Sequence, residues 1–419
     1  MTTKLLSELS TNISSGLTPL RSNTEFWKNG TIPWLKTEQL GEKYIYETNE
    51  HISETALEKT SIKLFPEDSL SIAMYGEGKT RGNLSIIKKA MATNQACCNV
   101  AIDPDKADFE YVYYFLKTQY DELRNLSSGV RKNLNTNDIK NYPIRLPENL
   151  DSQKKIANVL KVLDTKIELN NSVNSELEAM AKTLYDYWFV QFDFPDDSPQ
   201  GQGKPYKTSG GKMVYNPTLK REIPEGWEVK KLSEVSVTGS GGTPLSSNPE
   251  FYENGTIPWI NSGELNAQFI VSTANFITEL GLEKSSAKLF SKNTILMAMY
   301  GATAGKVSFI DFPAATNQAI CAINPFDQEM NVYLKFTLER LYEYLINLSS
   351  GSARDNLSQD KIKSLDVVIP TQSTLAEFHE FTKSKMDLIL TNLKENQDLA
   401  SLRDWLLPML MNGQVTVKN

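Results

Sequence analysis

From Asp151 onward, apolar or small residues return at alternating steps of four and three. They are Ile156, Leu160, Leu163 and Ile167, then Leu177, Ala181, Leu184 and Trp188, with Asn170 and Asn174 filling the two positions between. A seam of this kind predicts a long helix packed along one stripe against another helix. The same pattern returns downstream through Phe378, Thr382, Lys385, Ile389, Asn392, Asn396, Leu399 and Leu406. Arg403 also falls on this second seam, and Leu402 beside it predicts that the stripe drifts there. Pro408 and Gly413 are stop signals. A helix of about 35 residues extends roughly 50 Å. Two seams in one chain most simply satisfy each other, and a pseudo-twofold relation would run the helices antiparallel. The seam asparagines leave two readings open. Buried, they lower stability but favour one register; at the seam edge, they occupy solvated gaps.

Short strand signals precede each seam. An IPW segment follows a turn-rich stretch (GLTP at Gly16, GGTP at Gly241), and the apolar runs SLSIAMYG and TILMAMYG, bounded by turn residues, read as buried strands. These segments are copies of one another. NTEFWKNGTIPWL at Asn23 returns as NPEFYENGTIPWI at Asn248, 225 residues later. ETALEKTSIKLF at Glu54 returns as ELGLEKSSAKLF at Glu279, and AMYG, TNQA and NLSSG recur in the same order, TNQ at Thr93 and Thr316, NLSSG at Asn125 and Asn347. A period this long is a duplicated domain, since solenoid units run only ~20–50 residues. The expected architecture is α+β (mixed α/β): two similar globules over 1–150 and 223–370, a central helix over 151–192, a connector over 193–222 and a second helix over 371–419. The connector, dense in Gly, Pro, Ser and Lys, reads as irregular chain lying on the surface of the globules.

Composition narrows the function by exclusion. Three cysteines, two of them adjacent (Cys97, Cys98 and Cys321), and two histidines (His51, His379) offer no clustered metal ligands and no CxxC, so no metal site is expected and the thiols read as buried. No apolar run reaches the ~18–20 residues of a membrane helix, and no secretory signal is read at the start. The expected compartment is the cytoplasm, without membrane attachment. GEGKT at Gly76 and GATAGK at Gly301 both miss the phosphate-loop spacing and read as glycine turns after a strand. No nucleophile elbow, HExxH or dinucleotide fingerprint is present, so no cofactor and no catalytic residue are expected. The net charge of −7 sits badly with a stand-alone nucleic-acid binder.

A duplicated chain without catalytic residues looks like a recognition module. Two copies that read different sequences must differ where they touch bases, so the shared Thr-Asn-Gln reads as scaffold. The divergent loops, Lys36-Thr37 against Asn261-Ser262, are the better candidates for base contact. Lys79, Arg81 and Lys306 on the glycine turns, and Arg131, Lys132 and Arg354 after NLSSG, suit phosphate contact, which carries no sequence information.

The ordered strings NGTIPW, AMYG, TNQA and NLSSG, a helix ending LYDYWF, REIPEGWEVKKLSEV at Arg221 and the closing LLPMLMNGQV together resemble the specificity subunit of type I restriction–modification systems over essentially the whole chain. The resemblance implies that each globule is a target recognition domain reading one half of a split, asymmetric double-stranded DNA sequence. It implies that the helices form an antiparallel coiled coil that is spacer and docking platform. Two methyltransferase subunits and the restriction subunits would be the partners and would carry all catalysis. The first copy opens at KLLSELS without the IPEGWE lead-in, a departure from which no loss of function is expected. Seams and acidity alone also permit a duplicated, non-catalytic protein adaptor that does not read DNA.

Overall fold

A computed structural model describes the chain except residues 77–79, 127–132, 197, 199–200, 302, 349–356 and 418–419, and the side chains of 344–348. The chain divides into two compact units, Met1–Ile167 with Asp398–Asn419, and Glu168–Gln397. Each unit contains one globular head and a stretch of both long helices.

In the first unit a five-stranded sheet runs in the order Ser10–Ser15, Cys97–Ile102, Leu70–Ala73, Leu84–Ile87, Tyr44–Ile45. A three-stranded sheet orders Glu50–Ile52, Ile32–Leu35, Ala92–Thr93. In the second unit the five-stranded sheet is Ser236–Ser240, Ile320–Pro325, Ile295–Ala298, Val307–Ile310, Phe269–Ile270, the same order strand for strand. Its smaller sheet gains a fourth strand, Leu289–Phe290, where the first head has only the single bridge Phe65–Met91. The apolar runs seen in the sequence are the sheet centres: every residue of Leu70–Ala73 and of Ile295–Ala298 is buried. All three cysteines are free and buried in these sheets, and burial pushes each thiol up to about 12. The two heads open alike: Thr2–Leu5 pairs with Pro143–Leu146 as Glu228–Lys231 pairs with Asp366–Ile369.

The central helix spans Leu150–Tyr185 and ends in a wider π-helical turn, Asp186–Val190; the second long helix spans Gln372–Met411. Pro408 does not stop that helix but sits in its last turn, and the chain leaves the helix at Gly413, whose φ is +71°. Within the first unit Ile156 and Leu160 are buried in one apolar cluster with Leu410 and Met411, Leu406 packs on it half-buried, and Asp164 accepts from Arg403 at 2.9 Å. Within the second unit Asn170 donates to Asn396 at 2.9 Å and to Glu395 at 2.7 Å, and Asn392 donates to Asn174 at 2.8 Å. The pairing runs antiparallel in each unit. Asn170 and Asn392 are buried, and both make hydrogen bonds across the pair, so the register-setting reading is the one realised. Leu163, Ile167, Leu177, Leu184 and Leu399 line the seam half-buried, while Phe378 and Ile389 are fully enclosed.

Three sequence expectations are corrected. Lys385 does not fill the seam. Met386 is buried there, and the Lys385 ammonium folds back onto the Phe381 carbonyl at 2.7 Å, because a lysine would lose its hydration inside the stripe. The stripe does not drift to Leu402, which is exposed; Arg403 keeps its place by pairing with Asp164. The connector is not irregular. It forms two ribbons, Pro195–Asp196 with Lys204–Pro205 and Met213–Asn216 with Arg221–Pro224, because its aromatics have a core to join: Phe194 stacks on Tyr206 and on Trp227, centroids 4.7 and 5.0 Å apart.

Candidate nucleic-acid interface

The smaller sheet of each head contains a parallel pair, Trp34–Leu35 beside Ala92–Thr93 and Trp259–Ile260 beside Ala315–Thr316. Parallel strands release their chains at the same end. In the first head the loop beginning at Lys36 and the turn at Asn94 therefore leave together, tied by the Asn94 amide donating to the Leu35 carbonyl at 2.9 Å. In the second head Asn317 donates likewise to Ile260 at 3.0 Å. Two more segments reach the same rim. The Met74 amide donates to Ala96 and the Leu134 amide to Met74; Met299 and Leu357 repeat this with Ala319 and Met299.

The shared Thr-Asn-Gln is scaffold in both heads. Thr93 and Thr316 are buried, and the Asn94 and Asn317 side chains accept from the amides two residues on, each at 3.1 Å. Gln95 and Gln318, exposed, accept hydrogen bonds from Thr18 and Thr243. This pins the Gly-x-Thr-Pro turn to the rim. A Cβ on Gly16 or Gly241 would stand 2.1 Å from the carbonyl oxygen of Thr93 or Thr316, so only glycine lets the two segments meet.

The divergent loops take matching positions with different chemistry. Lys36 and Asn261 each stand directly before a short 3₁₀ turn, Thr37–Gln39 and Ser262–Glu264. Lys36 is bridged to Glu38 and Glu50, both at 2.7 Å, and the hydrogen bond to Glu38, then that to Glu50, holds its ammonium above the usual lysine range. Arg21 closes the cluster by pairing with Glu50 and lying 3.7 Å over the Trp27 ring. Asn261 instead has its amide capped by Glu264 at 2.8 Å and its side-chain oxygen accepting from Asn317 at 3.3 Å. Thr37, Ser262 and Arg81 are half-buried and Lys306 is exposed; Arg81 and Lys306 both stand on the hairpin that follows AMYG. Lys79, Arg131, Lys132 and Arg354 lie outside the described residues. The rim thus gathers Lys36 with Thr37, and Asn261 with Ser262. It adds Gln95 and Gln318, read from the sequence as scaffold, and Arg21, Thr18 and Thr243, which sequence reasoning missed. For Thr18 and Thr243 the signal was the recurrence of Thr-Pro and Asn-Gln in both copies at nearly equal spacing.

The sequence pattern of the type I restriction modification DNA specificity domain matches residues 2–179 and again residues 224–395. The chain belongs to the type I restriction modification DNA specificity family. Each specificity-domain match runs from a head into one of the long helices, so the repeated unit is a head with its helix. The specificity chain is similar to the type I restriction enzyme MjaIX specificity subunit of Methanocaldococcus jannaschii, 28 % identical over 97 % of this chain and 91 % of the relative. It is also similar to the HindI specificity subunit of Haemophilus influenzae, 28 % identical over 69 % of this chain and 72 % of that one. The crystal structure of a type I system S subunit from M. genitalium shares the fold, with a TM-score of 0.58 at 18 % identity over 98 % of this chain and 95 % of the other. Among the described residues, no helix is long and apolar enough to cross a membrane.

Proposed function

We propose that this chain is the DNA-reading subunit of a type I restriction–modification complex. Each head binds one half of a split, asymmetric target in duplex DNA, with Lys36 and Thr37 in one head and Asn261 and Ser262 in the other making base contacts. Arg81, Lys306 and, beyond the described residues, Lys79, Arg131, Lys132 and Arg354 contact phosphates. The paired helices dock two methyltransferase subunits, to which the restriction subunits add. Methyl transfer, translocation and cleavage belong to those partners, in the cytoplasm, and this chain contributes no catalytic residue and no cofactor.

One observation carries the reading: the same rim is built twice on shared scaffold residues, with different side chains at the two 3₁₀ turns. That is what a bipartite, asymmetric reader needs. The net charge of −7 fits a subunit whose partners close around the duplex with basic surface of their own.

The test is to express the chain with its methyltransferase partner and map methylated adenines by single-molecule sequencing. A motif in two parts is expected. One unbroken short motif, or none, overturns the proposal. Exchanging residues 1–150 for those of a divergent relative should change one half-site only; an adaptor that does not read DNA would leave the methylation pattern unchanged.

A further inference from the structure

Duplication within one chain supplies an internal control. At positions both copies share, the reason for retention is usually visible: burial, a cap, or a backbone turn. Asn29 and Asn254 are kept because both adopt left-handed φ, +55° and +58°. Asn23 and Asn248 are kept because both cap a 3₁₀ turn. Leu20 and Leu245, at matching places in the Gly-x-Thr-Pro-Leu turns, have no such reason. Each is an exposed side chain, 66 % and 65 % accessible, and folding gains nothing from it. Only the backbone carbonyl is used, accepting from Asn23 at 3.1 Å in one head and from Asn248 at 3.0 Å in the other.

The turn that carries each leucine is held stiffly at the reading rim. Proline precedes it, the Thr18–Gln95 and Thr243–Gln318 bonds anchor it to the Thr-Asn-Gln turn, and the close glycine approach fixes its base. The neighbour that follows diverges, Arg21 against Ser246, as a sequence-reading position would. An exposed apolar side chain kept in both heads, directly before a position that differs, suits a contact that every half-site offers.

We infer that Leu20 and Leu245 are the apolar DNA-contact tips of the two heads, each packing against base edges or a base step in the groove its rim faces. The inference rests on the DNA-reading function proposed above. Apolar contact with bases needs no particular sequence and neutralises no phosphate. It therefore adds affinity without changing the salt dependence of binding, whereas a lysine or arginine at a phosphate changes both.

The test uses the full chain in complex with its methyltransferase and a duplex carrying the mapped motif, with binding followed by fluorescence anisotropy across a salt series. Leu20→Ser and Leu245→Ser should each weaken binding about tenfold, as expected for losing most of a buried leucine contact, with an unchanged salt slope. Leu20→Met should restore it. Phe326→Ser is the control for loss of exposed apolar surface. Phe326 is 66 % exposed but follows the far end of the Ile320–Pro325 strand from the Gln318 turn, and its replacement should leave binding intact. Unchanged affinity in both serine variants, or loss of the methyltransferase instead of the DNA, overturns the inference. If the wild-type complex prefers no duplex, the failure belongs to the proposed function.

Discussion

The two heads join their helices through the same places in the fold but with opposite chemistry. In the first unit Lys43 is buried and sits 2.8 Å from Glu110, 2.6 Å from the Tyr114 hydroxyl and 3.4 Å from Asp164 of the central helix. Lys161 reaches Glu110 at 2.8 Å, and Arg403 of the second long helix reaches Asp164. In the second unit the residue 225 positions after Lys43 is Gln268, and the residue 222 positions after Asp164 is Met386. These two touch, amide nitrogen to sulfur, at 3.3 Å. The buried cation there is Lys335, which comes from the head's own helix and bonds Glu178 at 2.9 Å and Gln268 at 2.5 Å. One root is an ionic network centred on a helix carboxylate. The other is a neutral Gln–Met contact beside a single lysine cluster. Duplication preserved where head and helix meet and left free how they bond, so dependence on charge is concentrated in the first root.

The largest expected effect breaks that asymmetry open. Asp164→Ala leaves Arg403 with only the exposed Asp404 and removes one of two carboxylates from buried Lys43, a change that costs about 3 kcal/mol when a buried pair loses one member. Met386→Leu, at the equivalent place, conserves volume and should cost less than about 1.5 kcal/mol. Urea unfolding read by amide exchange in each head separates the two; equal losses would mean the roots are not different in kind. Next in size is the coupling inside the first root. Lys43→Gln with Asp164→Met imports the second root's chemistry and should cost about 1–3 kcal/mol less than the two single changes added. Additive losses would show that Lys43 and Asp164 do not depend on each other.

The seam supplies the counterpoint, because there the two copies agree. Asn170→Ala and Asn392→Ala each remove a donor to a cross-helix asparagine and should cost about 1–2 kcal/mol, Asn170→Ala slightly more because its amide also donates to Glu395. A large difference between them would extend the asymmetry of the roots into the helices.

What could be read from the sequence follows from which forces are local. The duplication, the buried AMYG strands and the seam were legible, because strand burial and helix packing impose periods of two and of 3.6 that side-chain order records directly. Ile156, Leu160, Phe378 and Ile389 show it. The failures lie where a distant partner decides. Arg403 holds the seam only because Asp164 faces it across 239 residues. The connector is ordered only because Trp227 waits to stack on Phe194. At the rim, Lys36 was visible as a divergent position, but its bridges to Glu38 and Glu50 and the stacking of Arg21 depend on strand pairing that no local pattern displays.

The smallest effect is a pH response of opposite sign in the two roots. Burial pushes the Glu110 carboxyl up, but hydrogen bonds from Lys161, Lys43 and Tyr44 outweigh it and hold it below the ordinary 4.5. A carboxylate held below its unfolded value lends stability that is complete above pH 4.5 and drains as pH falls through the folded value. Glu339 is the reverse. Burial raises it despite the attraction of Lys335, with Glu178 adding to the rise and Lys182 opposing it. Its stability is complete below pH 4.5 and is lost as pH climbs through the folded value. Acidification from pH 7 to 4.5 should therefore tighten Tyr333–Leu341, and only further acidification should loosen Tyr111–Thr118. Each change should stay within about tenfold in amide exchange, which corresponds to about 1.4 kcal/mol. Asp108, at the start of the first head's helix, is itself raised by burial, so variants assign the response. Glu110→Gln should abolish the loosening below pH 4.5, and Glu339→Gln the tightening above it. If Glu110→Gln leaves the acid limb in place, Glu110 is not the carboxylate that senses acid there.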